Sequence, residues 1–231
     1  EGIAAECEEL GIGLLSGHTA RQDVSYPWVG GATAMGVGDP DEIVRPDGAR
    51  PGDSILLTKG PGVEVAGLFA TLFGDELDVA KDHLERAASR LRETSLVGDA
   101  LAAADAAPVT AMHDATECGL QGALVEMAEA AGVGFELAGR HVPKPPAVLA
   151  ICESLDLDPW QVSSRGTLVI TAPESDADSV VNALEDRETP VEVVGEVTEG
   201  GGVTVDGDSL AHPGTDPAWE AFGALLAATD E

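Results

Sequence analysis

Apolar residues recur along this chain with two periods, and the alternation of those periods lays out the elements. Helical spacing of Ile3, Cys7 and Leu10 predicts a helix over Gly2 to Leu10 that Gly11 stops. Ile12 to Leu15 reads as a short buried strand leading into Ser16-Gly17-His18-Thr19. Trp28 to Val37 reads as another strand, its glycines marking a bulge or close packing. Asp39 to Pro51, polar and rich in Pro and Gly, reads as a linker. Then come a strand at Ser54 to Thr58, the turn Lys59-Gly60-Pro61-Gly62, and a helix over Val63 to Phe73.

Further helices are predicted over Asp78 to Leu91 and Leu96 to Ala106, and a strand over Val109 to Met112. Leu120, Leu124, Met127 and Ala131 form one greasy helical stripe, and Gly132 stops it. Gly134 to Leu137, Thr167 to Thr171, Val191 to Val197 and Val203 to Val205 read as strands. Helices are expected over Ala147 to Leu155 and Glu174 to Glu185. A last helix starts at Asp216-Pro217, with Trp219, Phe222 and Leu226 on one face. Strands and helices alternating through short connections predict a layered α+β (mixed α/β) fold.

Charge changes this picture more than size does. The 231 residues carry 42 acids against 12 bases, a formal charge of −30. The acids are spread along the whole chain, which points to a solvated acidic surface of the kind that keeps a protein soluble in concentrated salt, and so to a halophilic source. The same charge argues against nucleic-acid or anionic-membrane partners. Cys7, Cys118 and Cys152 are odd in number, widely spaced and without a C-x-x-C pair. That argues against a disulfide framework or a zinc site and suits a reducing cytoplasm. No run is long and apolar enough for a membrane span.

The chemistry-bearing stretch is Met112-His113-Asp114-Ala115-Thr116-Glu117-Cys118-Gly119-Leu120, running into the striped helix. Backbone N–H groups at such a helix start, with the helix dipole, favour an anion, commonly phosphate. Simple capping explains the same residues: Asp114 and Glu117 have capping-box spacing, and Thr116 is a second cap candidate. Lys59, after its strand, reads either as a phosphate contact or as a solvated strand-end residue; the loop lacks Walker spacing.

The run from Asp114 to Leu120 resembles the D-x-T-x-G-G-L segment of the aminoimidazole ribonucleotide (AIR) synthetase superfamily. That superfamily includes the HypE, thiamine-monophosphate kinase and selenophosphate synthetase branches, and the local likeness is greatest to HypE. Cys118 stands where the family has the first glycine of the pair. The resemblance extends to Pro51-Gly52-Asp53 and the strand after it, and to Ser163-Ser164-Arg165-Gly166, where the family has Ser-Ser-Gly. It also covers Ser16 to Thr19, where the family has Gly-Gly-x-Thr and this chain has Ser16 and His18.

The resemblance implies residues 1–48 as the end of an N-terminal domain plus linker. Residues 49–231 would then be a complete C-terminal domain, a mixed sheet flanked by helices. It implies ATP and Mg2+ as cofactors, and phosphoryl transfer to an amide, carboxamide or phosphate small-molecule substrate. A homodimer is implied as well. Gly17, His18, Thr19, Asp114, Thr116 and Gly119 would be the nucleotide or phosphate contacts. Because the chain opens at Glu1 in a helical pattern, the family's other nucleotide and metal ligands are expected upstream. A second reading stays open, a nucleotide-binding or regulatory protein that keeps the fold without catalysis.

Overall fold

In the computed structural model the described residues are 2–18 and 30–229, and the chain divides into two compact units, residues 1–39 and 40–231. The first unit holds helix α1 (Gly2–Glu9), which Gly11 ends with a positive φ of 68°, as the sequence predicts. The expected strand at 12–15 is not formed, and neither is that at 28–37 over its described part, 30–37. A strand exists only through a partner, and no described residue pairs with either segment; Leu15 is 91% exposed and Met35 88%.

The second unit contains β1 (Asp53–Thr58), α2 (Val63–Leu72), α3 (Lys81–Ser89) and α4 (Val97–Ala106). These are followed by β2 (Ala111–Asp114), α5 (Gly119–Ala131), β3 (Gly134–Leu137) and α6 (Pro146–Ser154). Next come β4 (Leu168–Pro173), α7 (Ala177–Glu185), β5 (Val191–Thr198), β6 (Gly202–Val205), β7 (Asp208–Leu210) and α8 (Ala218–Thr229). The strands form one sheet in the order β2-β4-β1-β5-β3-β6-β7, antiparallel except for the parallel pair β3 and β6. The layered α+β fold is the one that the pattern predicts, and a mixed sheet flanked by helices is what the family resemblance implies.

β1 is an interior strand, between β4 and β5, and all six of its residues are buried. Its two-residue period sends Ile55 and Leu57 to the face covered by Leu120, Leu124 and Met127 of α5. Leu56 goes to the opposite face, against Ala103 of α4 and Val180 and Leu184 of α7. Burying each such side chain stabilises the fold by about 1.5–3 kcal/mol. A third cluster joins α2, α6 and α8. There Phe69, Phe73 and Phe222, three of the chain's four phenylalanines, meet with ring centroids 5.5–6.2 Å apart.

That cluster corrects the expected face of the last helix. Ala218, Ala221, Phe222 and Leu225 pack inward, whereas Trp219 is 61% exposed. Asp216 accepts from the Ala218 N–H at 2.9 Å, and this cap starts the helix at Ala218 and sets which positions face the core. Residues 40–48, read as linker, pack within the second unit. Gly48 lies so close to the Thr110 carbonyl that no Cβ fits there.

Candidate functional site

β2 is held by β4, with Asp114 opposite Leu168, and delivers the loop 115–118 to the start of α5. Thr167 O accepts from the Ala115 N–H at 3.0 Å, and the Ser164 N–H donates to Ala115 O at 2.9 Å. The Ser163–Gly166 turn therefore fastens one side of the loop. The same turn reaches the β1–α2 connection: Thr167 Oγ1 donates to Gly60 O at 2.7 Å, and Ser163 Oγ to Glu64 Oε2 at 2.6 Å.

The loop ends in two consecutive left-handed residues, Cys118 at φ 61° and Gly119 at φ 60°. Gly119 has no alternative, since a Cβ would stand 2.5 Å from Val162 O and 2.7 Å from Trp160 O. Cys118, at the family's first glycine, takes the same conformation at a cost of about 1–2 kcal/mol. The geometry that a glycine would supply is therefore present. The Cys118 thiol is pushed up in pKa by burial first, then by Asp216, Glu126 and Glu117, so it is neutral and no nucleophile. Cys152 is pushed up to about 12 by burial in the α2–α6–α8 core.

An anion already sits at the start of α5, and it belongs to the protein. Asp216, 7% exposed, accepts at Oδ2 from the Cys118 N–H (3.2 Å) and the Ser163 N–H (2.8 Å). The Gly119 N–H donates to Thr116 O at 3.0 Å and the Gln121 N–H to Trp160 O at 2.8 Å. These donors are thus engaged internally. Neither expected cap forms at α5: its N-cap residue is Cys118, without a side-chain cap bond.

Asp114 and Thr116 face outward instead. The Asp114 side chain is 46% exposed, and Thr116 Oγ1 donates to its Oδ2. His113 Nδ1 lies 3.4 Å from Asp114 Oδ1. That contact, with the Thr116 bond, outweighs partial burial and holds the carboxyl at about 2. His113 is raised in turn, by Asp114 first and then Glu126, against burial. Glu126 bridges two imidazoles, with Oε2 2.9 Å from His113 Nε2 and Oε1 3.1 Å from His212 Nε2. The site thus presents an ionised carboxylate and a hydroxyl on a rigid stem beside an imidazole held toward its charged form.

Of the expected site residues, the structure brings together Asp114, Thr116 and Gly119, with Gly119 buried as a packing residue. Gly17 and His18 lie in the first unit, exposed and outside regular structure, and Thr19 falls outside the described residues. The reading of Lys59 as a solvated strand-end residue is overturned, and its ammonium is already held by the protein. Its side chain is 5% exposed and paired with Asp99 at 2.8 Å. Asp216, Glu126, His212 and Glu64 were missed. Asp-Pro before a helix signals a cap, but nothing local signals a second bond to a residue 98 positions away.

Residues 50–208 match the family described as AIR synthase related protein, C-terminal domain. The carbamoyl dehydratase HypE of Azotobacter vinelandii is 32% identical over 192 residues, 80% of this chain and 52% of that protein. The crystal structure of Escherichia coli HypE superposes with a TM-score of 0.63 at 26% identity, covering 75% of this chain and 54% of that one. AaThiL complexed with AMPPCP and TMP gives a TM-score of 0.55 at 25% identity, covering 72% and 52%. The chain spans about half the length of the curated relatives it matches. With a matching domain over most of its length, the chain belongs to the AIR synthase-related family.

Proposed function

We propose that this protein is an ATP-dependent phosphoryl-transfer enzyme of HypE type, working on an amide, carboxamide or phosphate small molecule as a cytoplasmic homodimer. The observation that carries the proposal is the half-buried Asp114–Thr116 pair, its carboxyl ionised down to about pH 2 at the end of a sheet strand. The likeness to carbamoyl dehydratases over four fifths of the chain supports it. The AMPPCP held by AaThiL supports ATP as the nucleotide.

In this reading ligand binding turns the single Thr116 hydroxyl proton from Asp114 to a phosphate oxygen, and Gly119 serves by letting the loop turn. Gly17, His18 and Thr19 are the proposed phosphate contacts of the first unit. Mg2+ keeps several waters and binds through one or two carboxylates plus substrate phosphates, so a single carboxylate, Asp114, fits its demands. The described residues contain no cluster of three ligating groups that would hold the ion unaided. Mg2+ would neutralise phosphate charge; the protein's part is positioning.

Calorimetry with ATP and Mg2+ in molar potassium chloride tests the proposal. Binding is expected, with Asp114→Asn weakening it at least tenfold. No heat with the wild type, or equal heat with the variant, removes the pair from the site. Binding without turnover on any carboxamide or phosphate substrate supports the regulatory reading.

A further inference from the structure

A cavity of about 790 Å³, which no residue of the Asp114 loop lines, lies between the end of α3, residues 143–147 and residues 188–190 before β5. Its size is that of a small-molecule site. Its charge is anomalous for this protein. Five of the chain's 12 Lys and Arg residues line it: Lys59, Arg86, Arg90, Arg92 and Lys144. Glu93, Asp99 and Glu188 are the acids of its wall, so the cations lead by two, in a chain whose net charge is −30.

The floor is built and rigid. Lys59 Nζ bonds Asp99 Oδ2 at 2.8 Å and donates to Glu93 O and Ser95 O at 2.9 Å each. Thr189 Oγ1 and Arg187 Nε fill Asp99 Oδ1, at 2.8 and 3.2 Å. Arg90 is locked to Glu93 Oε2 at 2.8 Å and to Lys59 O at 2.9 Å. The rim is different. Arg86, Arg92 and Lys144 make no side-chain hydrogen bond or ion pair among the described residues.

Arg50, Arg140 and Arg165 also take no carboxylate among the described residues, but they lie outside this cavity, whereas Arg86, Arg92 and Lys144 share its opening. The dipole of α3 favours cations at its own C-terminal end and accounts for Arg86. It gives no account of Lys144 on the opposite wall. There three prolines, 143, 145 and 146, fix the backbone that carries this lysine. Two guanidinium forks and an ammonium converging on a preformed hollow match the spread oxygens of a phosphorylated ligand.

We propose that this cavity is a second binding site, for the phosphoryl groups of a small oligoanionic molecule, independent of the Asp114 loop and of Mg2+. Arg86, Arg92 and Lys144 are its contacts, and the ion pairs of Lys59 with Asp99 and Arg90 with Glu93 its fixed floor. At 1 M salt the Debye length is about 3 Å, so the acidic surface no longer repels the ligand and local contacts decide.

The probe is inorganic pyrophosphate, titrated calorimetrically into the chain in 1 M potassium chloride with EDTA present. Saturable binding is expected. Arg86→Gln/Arg92→Gln should weaken it at least tenfold and Lys144→Gln at least threefold, while Arg165→Gln, outside the cavity, leaves it within twofold. Both arginines are exposed, and circular dichroism verifies that the double variant stays folded. Asp114→Asn should bind pyrophosphate as the wild type does, which separates this site from the proposed nucleotide site. Absence of binding, wild-type affinity in the double variant, or loss in Asp114→Asn alone would overturn the proposal. Equal affinity for citrate would overturn the phosphoryl assignment.

Discussion

Replacing Asp216 with Asn tests how the loop before α5 is held, because the substitution keeps the side chain's shape and removes one acceptor. The carboxylate accepts at Oδ2 from Cys118 and Ser163 and at Oδ1 from Ala218. An amide has one oxygen. If that oxygen faces the loop, the NH2 group meets the Ala218 N–H, donor against donor, and α8 loses a cap worth about 1 kcal/mol. The two loop bonds survive without their charge. Bonds to a charged group contribute about 1.5–3 kcal/mol and neutral ones about 0.5–1.5, so each weakens by about 1 kcal/mol. At 7% exposure water does not make up the difference, and the sum is about 3 kcal/mol. Urea unfolding of both proteins at one fixed potassium chloride concentration reads this as a lower midpoint at unchanged slope. In a thermal scan the same loss moves Tm down by about 6–12 °C. Amide exchange at Cys118 and Ser163 should quicken as well. A loss below about 1 kcal/mol, with slope unchanged, would refute the view that Asp216 clamps the loop.

The Asp114–His113–Glu126 cluster sets a pH window. The Asp114 carboxyl falls from 3.8 to about 2 on folding, so its contribution is present above 3.8 and lost as pH drops toward 2. His113 is raised above 6.5, so its contribution is full below 6.5 and lost as pH climbs through its folded value. Unfolding free energy should therefore hold a plateau from about pH 4 to 6.5. In His113→Gln the decline above 6.5 should flatten, and an alkaline limb matching the wild type counts against the cluster. For the buried pair, Lys59→Met leaves Asp99 its Arg187 and Thr189 partners at Oδ1 but none at Oδ2, and should cost about 1–3 kcal/mol. Lys59→Met/Asp99→Leu should recover most of that in denaturant titrations, and a double variant as unstable as the single one would show that the pair is not what is lost.

Legibility in the sequence followed the range of the forces involved. Gly134–Leu137 and the core of Val191–Thr198 were readable because a two-residue apolar period is local. The α5 stripe of Leu120, Leu124 and Met127 was readable because helical period and the Gly132 stop, at φ 69°, are local too. Segments 12–15 and 30–37 have strand composition, but pairing is decided by what lies alongside, which composition does not carry. Asp114 and Thr116 could be singled out through the family motif. The engagement of the α5 donors could not, because Asp216 and Trp160 arrive from distant sequence. Lys59 was misread for the same reason: its partner Asp99 lies 40 residues on, in the first turn of α4.

The Asp216 clamp also orders events during synthesis. Chains emerge from the ribosome N-terminal end first, and contacts distant in sequence form late. β1, β2 and α5 are all translated before residue 216 exists. Until then the Cys118 and Ser163 amides have no carboxylate to meet, and the left-handed turn at Cys118 has less to hold it. The fully clamped Asp114–Thr116 stem is therefore a late product of the nascent chain, completed only when the segment that begins α8 reaches the fold.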